Sequence, residues 1–362
     1  MKFGLVRRGY SSSGGAEAFL RRFAAELHQR GHDSSLFTTR DWPRAEWAHE
    51  IFQLPGSASP GRFADALRRV QARGKCHVLF SCERVHACDC YRAGDGIHKI
   101  WLDRRKPYEP WLKSWLRSFN GKHREILKLE ASLFAKGGAG QVIANSEMVK
   151  TEIVQSYDYP AEKIHVVYNG LPASALETPP ADWRAETRRR IGVKADEFLV
   201  LFAGTGWTRK GLRWALEAMD VANLPKSTLL VAGRGNPESL PESNRAIFLG
   251  GVRDLPHYLA AADAFILPTL YDPFSNACLE ALAAGLPVIT SEYNGFAEII
   301  EPGVEGDVVH RPNDVPALAA ALKRWSDPAL REAIRPQLIE KARRYTIEEN
   351  VRQTLELLDV SS

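Results

Sequence analysis

The chain has little cysteine: five in 362 residues, at 76, 82, 88, 90 and 278. That is too few, and too unevenly placed, for a disulfide framework. It has no Cys-x-x-Cys pair, so Cys82, Cys88 and Cys90 with His86 read as reduced thiols rather than a zinc site. No two aspartates stand at i, i+2, which removes the Asp-x-Asp clamp that holds a metal on a diphosphate. If a diphosphate binds, helix ends and Arg or Lys side chains must neutralise it. The longest apolar runs are strand-sized, far below the roughly 20 residues that span a bilayer. The opening MKFGLVRRGY lacks the apolar core of a signal peptide, so a cytoplasmic protein is expected. The early glycines fall at 9, 14 and 15 and do not spell Gly-x-Gly-x-x-Gly, so the dinucleotide fingerprint is absent there.

What is present is an ordinary globular composition, 44% apolar and 25% charged, which excludes a disordered chain. The length predicts two domains. Charge is unevenly spread over them. Residues 1–170 carry 27 Lys+Arg against 18 Asp+Glu, and the remainder 21 against 26. The basic half is expected to meet something anionic.

The order of elements repeats. FGLV (3–6), a Ser/Gly-rich loop, and Phe19, Leu20, Phe23, Ala24 and Leu27 at helical spacing make a strand–loop–helix unit; SLFTT (35–39) follows as a strand. HVLFS (77–81), QVIANS (141–146) and IHVVYNG (164–170) read as strands, and 82–128 as irregular and aromatic. In the second half FLVLFAGT (198–205), TLLVAG (228–233), AIFLGG (246–251), AFILPT (264–269) and VIT (288–290) alternate with helices. Helices are predicted over 313–325 and about 327–358. Short, almost wholly apolar strands flanked by helices predict parallel sheets covered on both faces. The expected fold is α/β: two doubly wound, Rossmann-like domains with a cleft between them, 1–170 and 171–345, followed by a C-terminal helix in 346–362.

Five places could carry chemistry. Gly14 and Gly15 end the first loop, where a missing Cβ lets the backbone approach a phosphate; a flexible turn would look the same. Arg209 and Lys210, in GTGWTRKG (204–211), lie between a strand and a helix and suit a diphosphate, although charge pairs are often only solvated. Asp272 and Glu280 stand eight residues apart in YDPFSNACLEALAAG, one in a loop and one inside the following helix. A carboxylate can accept two hydroxyls of a ribose diol. Phe274 and the amides of Ser275, Asn276, Ala277 and Cys278 would lie between them, facing phosphates; the alternative is a helix-capping acid and a surface Glu. Asp95, between Gly94 and Gly96, could touch a sugar or take a hydroxyl proton, or be a plain turn. Arg92 and His98 beside it read as packing or surface. Residues 99–128 carry nine Lys+Arg against three Asp+Glu, interleaved with aromatics. Arg104, Arg105, Lys106, Trp111, Lys113, Trp115 and Arg117 could seat on an anionic membrane or a charged acceptor, or be a helix pair with its aromatics inward. No nucleic-acid motif accompanies them, so no nucleic-acid partner is expected.

Taken together these stretches resemble glycosyltransferase family 4, of the GT-B fold, and within it the lipopolysaccharide core glucosyltransferase I group. GTGWTRKG (204–211), LAAADAFILPTLYDPFSNACLEALAAGLPVI (259–289) and NGFAEII (294–300) carry the likeness. The resemblance implies that Asp272, in place of the usual Glu, contacts the transferred hexose and that Glu280 holds the nucleotide ribose. It implies that Arg209 and Lys210 neutralise the diphosphate beside Gly204, and that Gly14 and Gly15 approach the same phosphates or the acceptor. Backbone groups near Val252 and Arg253 would read the base, and Asp95 would stand where many relatives place a His. It implies no cofactor, no metal and retained anomeric configuration, with a UDP-sugar as co-substrate. It also implies a saccharide or glycolipid acceptor at the cytoplasmic face of an anionic inner membrane, and a last helix that crosses back to the first domain. Same-face attack by the acceptor is favoured, with double displacement left open. Two other readings compete: a nucleotide-sugar epimerase or hydrolase on the same fold, and a non-catalytic binder of anionic lipid or nucleic acid.

Overall fold

The computed structural model describes all residues except 12–14, 57–58, 72–73, 110–119, 238–239 and 359–362. The chain forms two compact units: Met1–Gly170 with Ile347–Ser362, and Leu171–Thr346.

The first unit is a seven-stranded sheet of β1 (Lys2–Val6), β2 (Asp33–Thr38), β3 (Glu50–Gln53), β4 (Val78–Ser81), β5 (Cys88–Arg92), β6 (Ala139–Ala144) and β7 (Ile164–Val166). Its order is β3-β2-β1-β4-β5-β6-β7 and all its pairings are parallel. Successive strand residues face opposite sides. Leu36, Phe80 and Ile143 therefore join one core with Phe19, Leu20 and Phe23, while Phe37, Leu79 and Val142 join another with Phe63, Leu133 and Ile153. Ile347, Val351 and Leu355, four apart on the helix Ile347–Leu357, bury their side chains in the first of these cores. Each such burial stabilises by about 1.5–3 kcal/mol. Asn350 Nδ2 donates to Tyr168 O at 2.6 Å.

The second unit contains β8 (Phe198–Ala203), β9 (Ser227–Ala232), β10 (Ala246–Gly250), β11 (Ala264–Leu267), β12 (Val288–Ser291) and β13 (Gly306–Val309). Their order is β10-β9-β8-β11-β12-β13, again parallel. The first strand lies inside the sheet, so the winding reverses between β8 and β11. Open α/β sheets bind ligands at such a reversal, outside the carboxyl ends of the strands.

Two expectations need correction. Residues 82–128 are not irregular throughout: they hold β5 and the helices His98–Arg105 and Gly121–Leu133. β3 and β13 were not foreseen; both are four-residue strands at the two sheet edges, too short to show a pattern. The helices expected over 327–358 are Pro328–Ala342 and Ile347–Leu357, the second being the C-terminal helix expected in 346–362. Between them Tyr345 O accepts the Leu171 N–H at 2.9 Å, so the chain there is tied to an extended segment instead of continuing its helix.

Candidate functional site

Gly204 follows β8, and the short helical turn Trp207–Lys210 is bracketed by Gly206 (φ 80°) and Gly211 (φ 78°). A Cβ on Gly211 would stand 1.9 Å from Pro268 O, so only glycine allows this turn to press on the loop after β11. That loop grips the turn in return. Thr269 Oγ1 and the Leu270 N–H both donate to Arg209 O, at 2.9 and 2.8 Å. Arg209 Nη1 donates to Tyr271 O at 3.1 Å. Lys210 Nζ forms an ion pair with the Asp272 carboxylate, with side chains only 13% and 8% exposed. Three residues singled out on chemistry alone, 62 positions apart in sequence at the ion pair, thus meet because β8 and β11 are neighbours.

Asp272 is also fixed through its backbone. Its N–H donates to Tyr293 O and its carbonyl accepts from Gly295 N–H, both at 2.9 Å. Between those two residues, buried Asn294 organises the loop. Its Oδ1 accepts the N–H groups of Ser275 and Phe296, each at 3.2 Å, and its Nδ2 donates to Thr290 Oγ1 at 2.9 Å. Ser275 is the N-cap of the helix Asn276–Ala283, its hydroxyl accepting from Cys278 N–H at 3.3 Å. The capping role that sequence left open for Asp272 therefore belongs to Ser275. The Ala277 N–H has no acceptor among the described residues, as at a helix start able to receive an anion. Phe274 sits edge-on to Phe296 at 5.9 Å. Burial pushes the Cys278 thiol up to about 12, which removes it as a nucleophile. Glu280 is partly buried on the helix Asn276–Ala283, inside its second turn. Val252 and Arg253 follow β10, at the same carboxyl edge of the sheet.

In the first unit the corresponding edge is dense with charge. Asp95, exposed in its glycine loop after β5, accepts Arg7 Nη1 at 2.9 Å. Arg7 also pairs with Glu17 at 3.3 Å and approaches Glu83 at 4.0 Å, and Arg8 approaches Glu83 at 3.9 Å. Burial works against the Arg7 charge, but the carboxylates of Asp95, Glu83 and Glu17 outweigh it and raise its pKa. Burial raises the Glu83 carboxyl, with Arg7 and Arg8 opposing. Arg84 bonds Glu130 at 2.8 Å and Gly96 O at 2.6 Å, which buttresses the Asp95 loop. Arg92, read as packing, is buried, stacks over Phe19 at 3.7 Å and donates to Asn169 Oδ1 at 2.5 Å. Arg7, Arg8, Glu83 and Asn169 were missed. The available signal for Arg7, Arg8 and Glu83 was their placement just after the predicted strands FGLV and HVLFS. Gly15 opens the helix Gly15–Gln29, and Gly14 lies outside the described residues.

The basic segment is less available than its composition implies. Arg104 pairs with buried Glu152 at 2.7 Å, Arg105 with Glu109 at 2.6 Å and Lys106 with Asp103 at 2.6 Å. Trp111, Lys113, Trp115 and Arg117 lie outside the described residues. All five cysteines are free thiols, and Cys82, Cys88, Cys90 and Cys278 are buried.

Two doubly wound parallel sheets, the second with cations and a carboxylate gathered at its winding reversal, define a GT-B glycosyltransferase. The chain belongs to glycosyltransferase family 4. Residues 13–174 match the family model described as Glycosyltransferase Family 4, and residues 197–327 the one described as Glycosyl transferases group 1. A probable transglycosylase of Burkholderia thailandensis is 31% identical over 280 residues, 77% of this chain and 70% of that protein. The lipopolysaccharide glucosyltransferase WaaG of Escherichia coli is 25% identical over 98% of this chain and 94% of its own length. An uncharacterized glycosyltransferase of Methanocaldococcus jannaschii is 32% identical, but the match spans about half of each chain, 54% of this one and 53% of that one. Among solved structures, that of WaaG, a glycosyltransferase involved in lipopolysaccharide biosynthesis, superposes with a TM-score of 0.82 at 21% identity, covering 99% of this chain and 100% of the other. Anabaena HepE in complex with UDP-glucose superposes with a TM-score of 0.72 at 20% identity, covering 100% of both.

Proposed function

We propose that this glycosyltransferase moves a hexose, glucose first among the candidates, from a UDP-sugar to a lipopolysaccharide-core or related saccharide acceptor. In this reading it retains anomeric configuration and uses no metal. The observation that carries the proposal is the meeting of Arg209, Lys210 and Asp272 beside the start of the helix Asn276–Ala283. Breaking the bond between the sugar C1 and the diphosphate oxygen leaves negative charge on the nucleoside diphosphate. Arg209, Lys210 and the helix start compensate that charge. The acceptor oxygen bonds to C1 on the face the diphosphate leaves, and its proton passes to the departing phosphate. Glu280 accepts the ribose hydroxyls. Asp272, held by Lys210 and by its backbone bonds, accepts hydroxyls of the hexose. Asp95, held by Arg7, serves the acceptor or the sugar. The near full-length similarity to a lipopolysaccharide glucosyltransferase supports the acceptor class, and the likeness to a fold that carries UDP-glucose supports the donor. The same reading places the protein on the cytoplasmic face of an anionic membrane, through the basic, aromatic residues 99–128.

The test is a panel of UDP-sugars with a lipopolysaccharide-core acceptor, scored by nucleotide release. Folded Arg209→Ala and Glu280→Ala variants are expected to lose transfer by about 100-fold or more. Full activity in both, or no stabilisation of the wild type by UDP, would refute the reading.

A further inference from the structure

A second cluster of cations lies at the opposite edge of the second sheet. Asp263 stands just before β11, whereas Asp272 follows it, and the four strand residues between them extend about 13 Å. Two helices converge on Asp263 with a pair of arginines each, one turn apart: Arg184 and Arg188 from Trp183–Arg190, and Arg331 and Arg335 from Pro328–Ala342. Arg184 and Arg188 each reach one carboxylate oxygen at 2.6 Å, and Arg331 lies 3.7 Å away. The Leu199 N–H adds a bond at 2.8 Å, so both oxygens of Asp263 are occupied.

The remaining donors of this cluster are unevenly used. Arg188 is enclosed and donates to the carbonyls of Ala261, Lys194 and Glu197. Arg331 Nη1 reaches Trp325 O at 2.5 Å. The Arg184 side chain is 43% exposed while its Nη1 donates to Ala261 O at 3.0 Å and Ala262 O at 2.9 Å, and Arg335 makes no hydrogen bond or ion pair among the described residues. Arg335 is nonetheless not a loose surface chain. Its Cγ would lie 2.6 Å from a Cβ on Gly285 (φ 74°), so its stem rests against the turn after the helix Asn276–Ala283. Burial, and then the Arg184 charge, lower its pKa. Neighbouring acids act on these charges only through space, Asp327 and Glu332 on Arg331 and Glu197 on Arg188, and none of them pairs with the cluster. Glu197 takes the Thr228 hydroxyl, Asp327 caps its own helix through Ala329 N–H at 2.9 Å, and Glu332 is exposed. Three guanidinium groups thus reach one carboxylate and a fourth lies near it without an ion pair, in a partly desolvated place where planar forks suit tetrahedral oxyanions.

We propose that this quartet holds a free phosphate-class oxyanion, phosphate or diphosphate, against the outer faces of Arg184, Arg331 and Arg335. The site is separate from the nucleotide end of the sheet and would clamp the helices Trp183–Arg190 and Pro328–Ala342 together.

The test uses the full chain carrying Arg209→Ala, which weakens phosphate binding at the proposed donor site. Melting is followed while sodium phosphate replaces sodium chloride at matched ionic strength. A saturable rise in melting temperature is expected, and adding Arg335→Ala should shift the titration to about tenfold higher phosphate. Arg335→Gln, which keeps much of the stem, gives the same comparison should the alanine variant not fold. With Arg209 intact, Arg335→Ala should keep its full stabilisation by UDP, so this inference and the donor reading fail separately. A rise that does not saturate, no rise at all, or the same titration with and without Arg335 overturns the proposal.

Discussion

The ion pair between Lys210 and Asp272 allows stability and catalysis to be separated in one experiment. Its side chains are 13% and 8% exposed, so solvent screens the pair little. Removing one charge from a buried pair leaves the other uncompensated, at a cost of about 3–5 kcal/mol. Lys210→Met or Asp272→Leu alone should each destabilise by that amount, about 6–20 °C in the melting temperature of a domain of this size. The double variant removes both charges and should cost less than either single, because no ion is left stranded in the loop. Chemical and thermal denaturation of the four proteins completes the double-mutant cycle. If the pair only holds the loop, the double variant regains transfer together with stability. If Lys210 faces the diphosphate as proposed, the double variant regains stability while kcat stays down by about 100- to 1,000-fold. Destabilisations that add to within about 0.5 kcal/mol would show that the two charges do not depend on each other, and the reasoning from burial would be wrong.

Three further outcomes follow from the same structure. Gly211→Ala forces a Cβ to within 1.9 Å of Pro268 O at a left-handed φ of 78°, so a loss of at least about 2 kcal/mol of unfolding free energy in urea denaturation is expected, and a neutral result would mean the turn is not docked on the β11 loop. Burial, and then the Arg84 charge, push His98 down to about 4, against an ordinary value of 6.5. The unfolded chain therefore binds a proton that the folded one does not between those values, and stability present above pH 6.5 is lost as pH falls toward 4; His98→Gln should flatten that slope in melting curves, and an unchanged slope counts against it. Finally, sedimentation with phosphatidylglycerol vesicles should weaken as salt shortens the screening length from about 10 Å at 0.1 M to about 3 Å at 1 M, and Lys113→Glu with Arg117→Glu should abolish it, whereas binding that ignores both would remove the membrane role assigned to residues 99–128.

Much of this architecture was legible without coordinates, for identifiable reasons. Strands such as FLVLFA (198–203) are apolar at every position, as a central parallel strand covered on both faces must be, and β8 is buried along its whole length. The cations after it and the carboxylate after β11 stood out because polar residues at strand ends in such sheets are where ligands bind. β5 was not legible. Its CDCYR alternates Cys88 and Cys90 with a polar Asp89, and only the sheet shows Asp89 Oδ2 taking the Leu79 N–H at 2.7 Å, a backbone role no pattern announces.

Sequence by itself determined the repeating α/β alternation, the two halves, and the residue types that could meet a nucleotide sugar: Arg209, Lys210, Asp272 and Glu280. Those follow from local chemistry, the spacing of apolar side chains and the residues that punctuate strand and helix ends. Only the tertiary structure decided which charges meet. Lys210 finds Asp272 because β8 lies beside β11. Arg7 finds Asp95 across 88 residues, and Arg104 turns inward to Glu152 instead of outward. A buried charge must be paired where it lands, and where it lands is set by strand order, which no local stretch of sequence encodes.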